Sequence, residues 1–337
     1  MRAQDPPFAR CRRVGGHRLR LEWDDAGLTE SVTATLGYLG EDSEADAPGD
    51  PLRVRFSTRA APLAVPAGAD LLSESPEGLQ FLRHGGALYL RFRDAVVRVE
   101  PDDGTAYGVL PGEASALRGA LVYSLTFYGL VALLYARGVR TLHAACVVHG
   151  DAGCLVVGES DSGKSTLTLR LVAQGWAYLT DDSVLLHEAD GGVEARPLRR
   201  DFCLDPEAEA LFPDAADRWE PHLADARKQR LHVRDLYPDR AAERCVPRLV
   251  LFPRIVPEPE SRLVPLSARD TLLGLLRQTG APAWLDGPAA AAHLGGLRRL
   301  ADQTRGYALH AGRDLRDSPA AAAALTRQLV GAPDRRT

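Results

Sequence analysis

The stretch Gly158-Glu159-Ser160-Asp161-Ser162-Gly163-Lys164-Ser165 matches the phosphate-binding loop pattern G-x-x-x-x-G-K-[ST] in full. In such a loop, backbone N–H groups cradle a nucleotide's phosphates. The lysine reaches the terminal phosphates, and the hydroxyl that follows holds magnesium. Here that assigns Lys164 to the phosphates and Ser165 to Mg2+, with Thr166 closing the loop. Composition sharpens the match. Of 41 basic residues only two are lysine, Lys164 and Lys228. A chain drifting so far towards arginine keeps lysine where a compact point charge on a flexible stem is needed and a planar fork does not serve. Lys228 falls under the same reasoning. Downstream, Asp181-Asp182 supplies two adjacent carboxylates. Phosphoryl transfer needs one for magnesium and one to orient or deprotonate the attacking hydroxyl. The residue types alone leave open which does which.

These groups need elements to position them. Cys154-Leu155-Val156-Val157 is a short apolar run that reads as a buried strand. Apolar residues at helical spacing follow Lys164, and Gly175 sits at a helix C-cap position. Strand, glycine-rich loop and helix aim the loop's N–H groups and the positive helix end at one anion. Thr141 to Val148 predicts a strand. The short turn Gly150-Asp151-Ala152-Gly153 forces that strand to pair antiparallel with the loop's own strand. His143 then begins the neighbouring strand, close to the phosphates, although a lone histidine at a strand end is more often structural. Trp176 to Thr180 reads as the next strand and delivers Asp181 and Asp182 at its carboxyl end, where ligands bind in open α/β sheets. Val193 to Leu198 and Arg248 to Val256 read as further strands. Ala268 to Arg277, Ala289 to Gln303 and Ser318 to Val330 read as helices.

The first hundred residues have a different texture. His17 to Trp23 and Leu52 to Phe56 alternate, and Leu79 to Val99 reads as a three-strand meander turning at His84-Gly85-Gly86 and Arg93-Asp94. Glu41 to Asp50 reads as a solvated acidic loop. A long helix is predicted over Glu113 to Arg137, ended by Gly138. The expected organisation is a β-rich domain over 1–112, serving substrate binding or oligomerisation, and a phosphate-loop catalytic domain over 113–337.

The bulk numbers exclude several classes. A formal charge of −4 gives no reason to expect nucleic acid or an anionic membrane as partner. The five cysteines form no C-x-x-C pair, so neither a zinc site nor a disulfide framework is predicted. The apolar stretch Gly119 to Ala136 carries three tyrosines and is short for a span, so it reads as a buried helix. With no signal peptide at the polar, arginine-rich start, a cytoplasmic location is the expectation.

From His143-Ala144-Ala145-Cys146-Val147-Val148 through the turn, the strand, Gly158 to Thr166, the helix, Gly175 and Asp181-Asp182, the chain resembles the catalytic domain of HPr kinase/phosphorylases. The specific part covers roughly His143 to Val184. Beyond it, Leu198 to Leu211, Lys228 and Leu249 to Phe252 look more like the HPr-kinase-related proteins of bacterial peptide and natural-product clusters. The resemblance implies a mixed α/β phosphate-loop domain akin to phosphoenolpyruvate carboxykinase, and phosphoryl transfer from ATP to a hydroxyl. It also implies oligomer formation, with a homo-oligomer as the form to expect. It makes His143 a proton relay or phosphate contact, and Lys228 a cation on the transferring phosphoryl group. The chain departs from the family twice. Thr166 stands where HPr kinases carry an acidic residue. Leu198-Arg199-Arg200-Asp201 is a poor substitute for their glycine-rich, arginine-containing signature. Both departures argue against HPr as acceptor and against the reverse, phosphorolytic reaction. The expected function is an ATP- and Mg2+-dependent kinase acting on a serine or a small-molecule alcohol. The alternatives are a nucleotide-binding regulator without catalysis and a simple ATPase.

Overall fold

The structure, a computed structural model, describes residues 6–39, 50–110, 118–189, 192–199, 201–204, 206, 213–222, 227–278, 285 and 287–331. All of the acidic loop expected over Glu41 to Asp50 except Asp50, the first turn of the helix expected from Glu113, and much of Leu198 to Leu211 lie outside these residues. The chain is mixed α/β and divides into two compact units, with the boundary in the main chain between Val139 and Arg140.

The first unit is built on one eight-stranded sheet. Its strands are β1 (Phe8–Val14), β2 (His17–Trp23), β3 (Leu52–Ser57), β4 (Asp70–Glu74), β5 (Gln80–His84), β6 (Ala87–Phe92), β7 (Ala95–Glu100) and β8 (Thr105–Val109). The order is β1-β2-β3-β8-β7-β6-β5-β4. The β2–β3 and β3–β8 pairs are parallel and the others antiparallel. Alternation sets the register, since Leu52, Val54 and Phe56 are buried while Arg53 is exposed. Helix α1 (Thr29–Tyr38) packs on helix α2 (Arg118–Ala136), which lies across β3, β6, β7 and β8. Tyr123 meets Tyr38 edge to face at 5.4 Å, and Tyr128 meets Phe81 at the same separation. The apolar stretch 119–136 is long enough to cross a membrane, yet 67% of it is buried against its own unit. That packing moves the boundary from near residue 112 to Val139, because α2 completes the core of the first sheet.

The second unit centres on a six-stranded sheet. Its early strands are β9 (Arg140–His143), β10 (Ala145–His149), β11 (Ala152–Val156) and, after helix α3 (Lys164–Ala173), β12 (Ala177–Thr180), β13 (Ser183–Ala189) and β14 (Gly192–Pro197). Then come β15 (Asp201–Leu204), β16 (Glu220–Pro221), β17 (Gln229–His232), β18 (Val246–Ile255) and β19 (Arg262–Leu266). Helices α4 (Ala268–Gln278) and α5 (Gly287–Gln303), strand β20 (Arg305–Ala311) and helix α6 (Pro319–Gly331) complete it. The central order is β12-β10-β11-β18-β20-β19. β11, β18 and β20 run parallel, and β10, β12 and β19 pair antiparallel. Both faces are covered, which is why the strands read as continuous apolar runs. Ala145, Val147, Cys154, Val156, Leu249 and Leu251 face α3 and α6. Cys146, Val148, Leu155, Val157 and Val250 face α4 and α5. Cys146 Sγ lies 3.6 Å from Cys245 Sγ, and burial pushes the Cys146 and Cys154 thiols up, so they serve as small hydrophobes.

One predicted strand is two. Thr141 to Val148 breaks at Ala144: β9 joins a separate small sheet, β14-β13-β9, while β10 stays in the central one. A second small sheet, β15-β17-β16, stands beside α3.

Candidate active site

The loop forms where β11 ends. Val157 N–H donates to Leu251 O of the parallel neighbour β18 at 2.8 Å, carrying the pairing one residue past the strand. The chain then leaves the sheet and enters α3 through Gly163, whose φ of 87° lies in the left-handed region glycine favours. Asp161 also has positive φ, 62°, tolerable for a short polar residue in a tight turn. A Cβ at Gly158 would stand 2.7 Å from Ser162 Oγ, so any other residue there would displace the Ser162 side chain. Lys164, buried at the first turn of α3, donates to Gly158 O at 2.8 Å and Glu159 O at 2.7 Å. Burial lowers its pKa; Asp182 opposes that shift, and the Lys228 charge adds to it. The lysine thus braces the loop from within, over the span where phosphates are expected.

A cleft opens over this loop, lined by His143, Ser160, Asp161, Gly163, Lys164, Ser165, Thr166, Asp181, Asp182, Cys203, Leu204 and Lys228. Every catalytic and metal-binding residue expected from the sequence reaches it. Of the loop residues, Gly158 and Glu159 accept from Lys164 through their carbonyls without lining the cleft, and Ser162 lines a second groove.

The two aspartates sit between β12 and β13. Asp181 is 2% exposed. Its Oδ2 accepts from Cys203 N–H at 2.7 Å, while its Oδ1 is buried without a hydrogen-bond partner. Burial, reinforced by the neighbouring Asp182 charge, raises its pKa to about 8. Burial also opposes charge on Asp182, but the Arg199 guanidinium, His143 and the Ser183 hydroxyl outweigh it and hold that carboxyl well below the usual range. Arg199 Nη1 stands 3.1 Å from Asp182 Oδ2, to which Ser183 Oγ donates at 2.7 Å. His143 Nδ1 lies 3.2 Å from Asp182 Oδ1 and 3.1 Å from the Asp182 carbonyl.

His143 reaches the site by another route than expected. It ends β9 and pairs with Ser183 of β13, not with the loop strand, and Ala144 N–H donates to Asp182 O at 3.0 Å. Lys228 arrives just ahead of β17, whose Gln229 pairs with Leu204 of β15. Its carbonyl accepts from His222 N–H at 3.0 Å, which anchors its backbone. Asp225 and Ala226, upstream of it, lie outside the described residues.

Sequence reasoning missed three contributors. Arg199 lies in the very stretch read as a poor signature, and its guanidinium is the charge that faces Asp182. Cys203 delivers its backbone N–H rather than its thiol, which no side-chain pattern reveals. Asp201, buried, pairs with His232 at 2.7 Å and Arg230 at 3.3 Å, pinning β15 to β17; its role is legible only once those strands are paired.

Among the described residues no three His, Cys, Asp or Glu side chains converge as a metal cage. The donors present suit a magnesium that keeps waters and phosphate oxygens: one hydroxyl and the carboxylates, including the unpartnered Asp181 Oδ1.

No protein-family profile and no curated protein matches the chain. Among solved structures the chain is similar to the Hpr(Ser) kinase/phosphatase from Coxiella burnetii, with 15% identity and a TM-score of 0.30, over 57% of this chain and 99% of that one. A likeness at that score carries no argument about the chemistry of the cleft, which stands on its own geometry.

Proposed function

We propose that the chain is an ATP- and magnesium-dependent phosphotransferase that moves a γ-phosphoryl group onto an alcohol, either a serine side chain or a small-molecule hydroxyl. The observation that carries this reading is the convergence in one cleft of the loop lysine, its serine, both aspartates, His143 and the chain's other lysine. Binding a nucleotide without reacting it would not require the carboxylate pair. The order of motifs from His143 to Asp182 resembles HPr kinases, while Thr166 and the missing glycine-rich signature argue against HPr as acceptor.

Two carboxyls whose surroundings drive their pKa values apart suit two jobs. Asp181, with its unpartnered Oδ1, accepts the acceptor's hydroxyl proton in its ionised form, which its raised pKa makes the stronger base. Asp182, kept anionic by Arg199 and His143, would hold the cation together with Ser165. Bound magnesium would supply charge neutralisation across the phosphate oxygens. The acceptor oxygen bonds to the γ-phosphorus, the bond to the bridging oxygen breaks, and ADP leaves. Lys164 and Lys228 stabilise the charge that develops on the transferring group.

A simple ATPase is the second reading, since the same cleft would serve with water as acceptor. Incubation with γ-labelled ATP and Mg2+, with and without cell extract, separates these outcomes. Label appearing on a new molecule supports the kinase. Free phosphate alone supports the ATPase, and neither outcome leaves a nucleotide-binding protein without catalysis.

A further inference from the structure

The phosphate loop borders two clefts. The first holds the acid pair and both lysines. The second, about 690 Å³ including its open mouth, shares Gly163 and Thr166 with the first and diverges from them. Its walls are apolar: Pro253 and Ile255 from the end of β18, Ala311 from the end of β20, and Leu315. Arg170 and Arg316 also line it. Ile255 is 64% exposed, a large aliphatic side chain left open beside a polar loop.

We infer that this groove takes the nucleoside end of the nucleotide whose phosphates lie in the loop, holding the base by apolar contact; the inference rests on the reading of the loop proposed above. A nucleotide is a linear object. Its γ end must face Lys164, Ser165 and the carboxylates, so the chain of phosphates has to leave the loop in the other direction. At Gly163 and Thr166 the cleft continues into this groove. The groove also lies where α/β sheets place ligands, outside the carboxyl ends of parallel strands: β11, β18 and β20 all end at it or at the loop. Its chemistry fits a flat heterocycle. The Ile255, Pro253 and Leu315 side chains offer apolar faces, and an arginine guanidinium stacks on aromatic rings. None of the groove's defining side chains is a carboxylate or an amide placed to read a base edge. ATP and GTP should therefore bind within about tenfold of each other, because apolar contact discriminates weakly where hydrogen bonds do not.

The test compares ligands that share phosphates and differ in the nucleoside. Binding of Mg-ATP, Mg-GTP and Mg-tripolyphosphate is measured by calorimetry on the full chain and on Ile255→Ser and Ile255→Leu. Exposure of Ile255 makes both variants tolerable to the fold, which a melting curve confirms. The expected result is ATP and GTP binding well above tripolyphosphate, a loss of about tenfold for both nucleotides in Ile255→Ser, unchanged tripolyphosphate binding, and recovery in Ile255→Leu. If tripolyphosphate binds as tightly as ATP, or if Ile255→Ser weakens neither nucleotide, the groove does not hold the nucleoside and the phosphate-loop reading stands alone. ATP bound far more tightly than GTP would overturn recognition by apolar contact. If neither nucleotide nor tripolyphosphate binds the parent, the loop reading fails and takes this inference with it.

Discussion

Asp181 and Asp182 are neighbours in sequence with opposite surroundings. An Asp182 oxygen stands 3.2 Å from His143 Nδ1, while the Asp181 Oδ1 is buried without a hydrogen-bond partner. The chain turns out of β12 at this point and into β13, so the two carboxyls do not share one environment. One is solvated by fixed charges and the other by a single backbone N–H. This asymmetry makes the pair chemically useful and gives it a signature in stability.

In the metal-free protein, Asp181 keeps its proton up to about pH 8, whereas the unfolded chain releases it near the ordinary value of 3.8. Between those values the folded state binds the extra proton, so stability is fully present below the lower value and is lost as pH rises through the upper one. Asp181→Asn removes this dependence. Thermal melts in chelator should show the Asn variant gaining on the parent steadily from about pH 5 to about pH 8.5. A constant gap over that range would place the Asp181 proton elsewhere.

Arg199 gives the opposite sign. Asp182 is depressed in the folded state, so its contribution is present above the unfolded value and disappears as pH falls through the folded one. Arg199→Ala should cost about 1 kcal/mol near neutrality, a modest figure because the carboxylate is partly solvated. The cost should shrink on acidification. Phosphoryl transfer should fall as well, and Arg199→Lys should restore stability better than activity, since a point charge does not hold the carboxylate's angle as the fork does. Equal recovery of both would reduce Arg199 to a simple counter-charge.

Lys164→Ala should abolish tight Mg-ATP binding and lower transfer by at least about 10²-fold, the scale of losing one preorganised charge at the reacting phosphate. Calorimetry reads the first effect and label transfer the second. Parent-like binding in a folded Lys164→Ala protein would remove the phosphate loop from the argument.

Lys228 is the sharper case, because the chain's composition singles it out as much as its position does. Lys228→Ala should lower the rate of transfer more than it weakens ATP binding, since its contact strengthens as charge develops. Lys228→Arg should fail to restore the rate, because a planar fork does not reproduce a compact ammonium. Parent kinetics in the Arg variant would make the lysine an accident of composition.

The site was largely legible in the sequence because its parts are local. The loop, its strand, its helix and the antiparallel hairpin all fall within one short span, where turn chemistry and periodicity decide the structure. The meander of β5 to β7 was legible for the same reason, as were the three helices from α4 to α6. What escaped was non-local. Nothing local to the sequence marked a new strand β13 after Asp182, and β9 separates from β10 only because the chain changes sheets at Ala144, whose N–H pairs with Asp182 O. Asp201 acquires meaning when β15 folds back onto β17, a pairing between segments that no periodicity connects, and Arg199 only when its segment returns to Asp182. Helix α2 was found but given to the wrong unit, since an apolar helix does not announce which sheet it will cover.

The loop strand β11 has two neighbours of very different provenance. On one side is β10, joined by a tight turn; on the other is β18, which reaches the sheet only after the whole intervening chain has been laid down. The hairpin can close early, at small loop-closure cost, but Val157 cannot find Leu251 O until that distant strand docks. The loop's outer wall, with Pro253 and Ile255, arrives with the same strand. A nucleotide therefore meets a receptive loop only on a chain that has already closed this long-range pairing. Ligand affinity becomes a reporter of the docking of β18, and ligand in turn holds that strand's end in place.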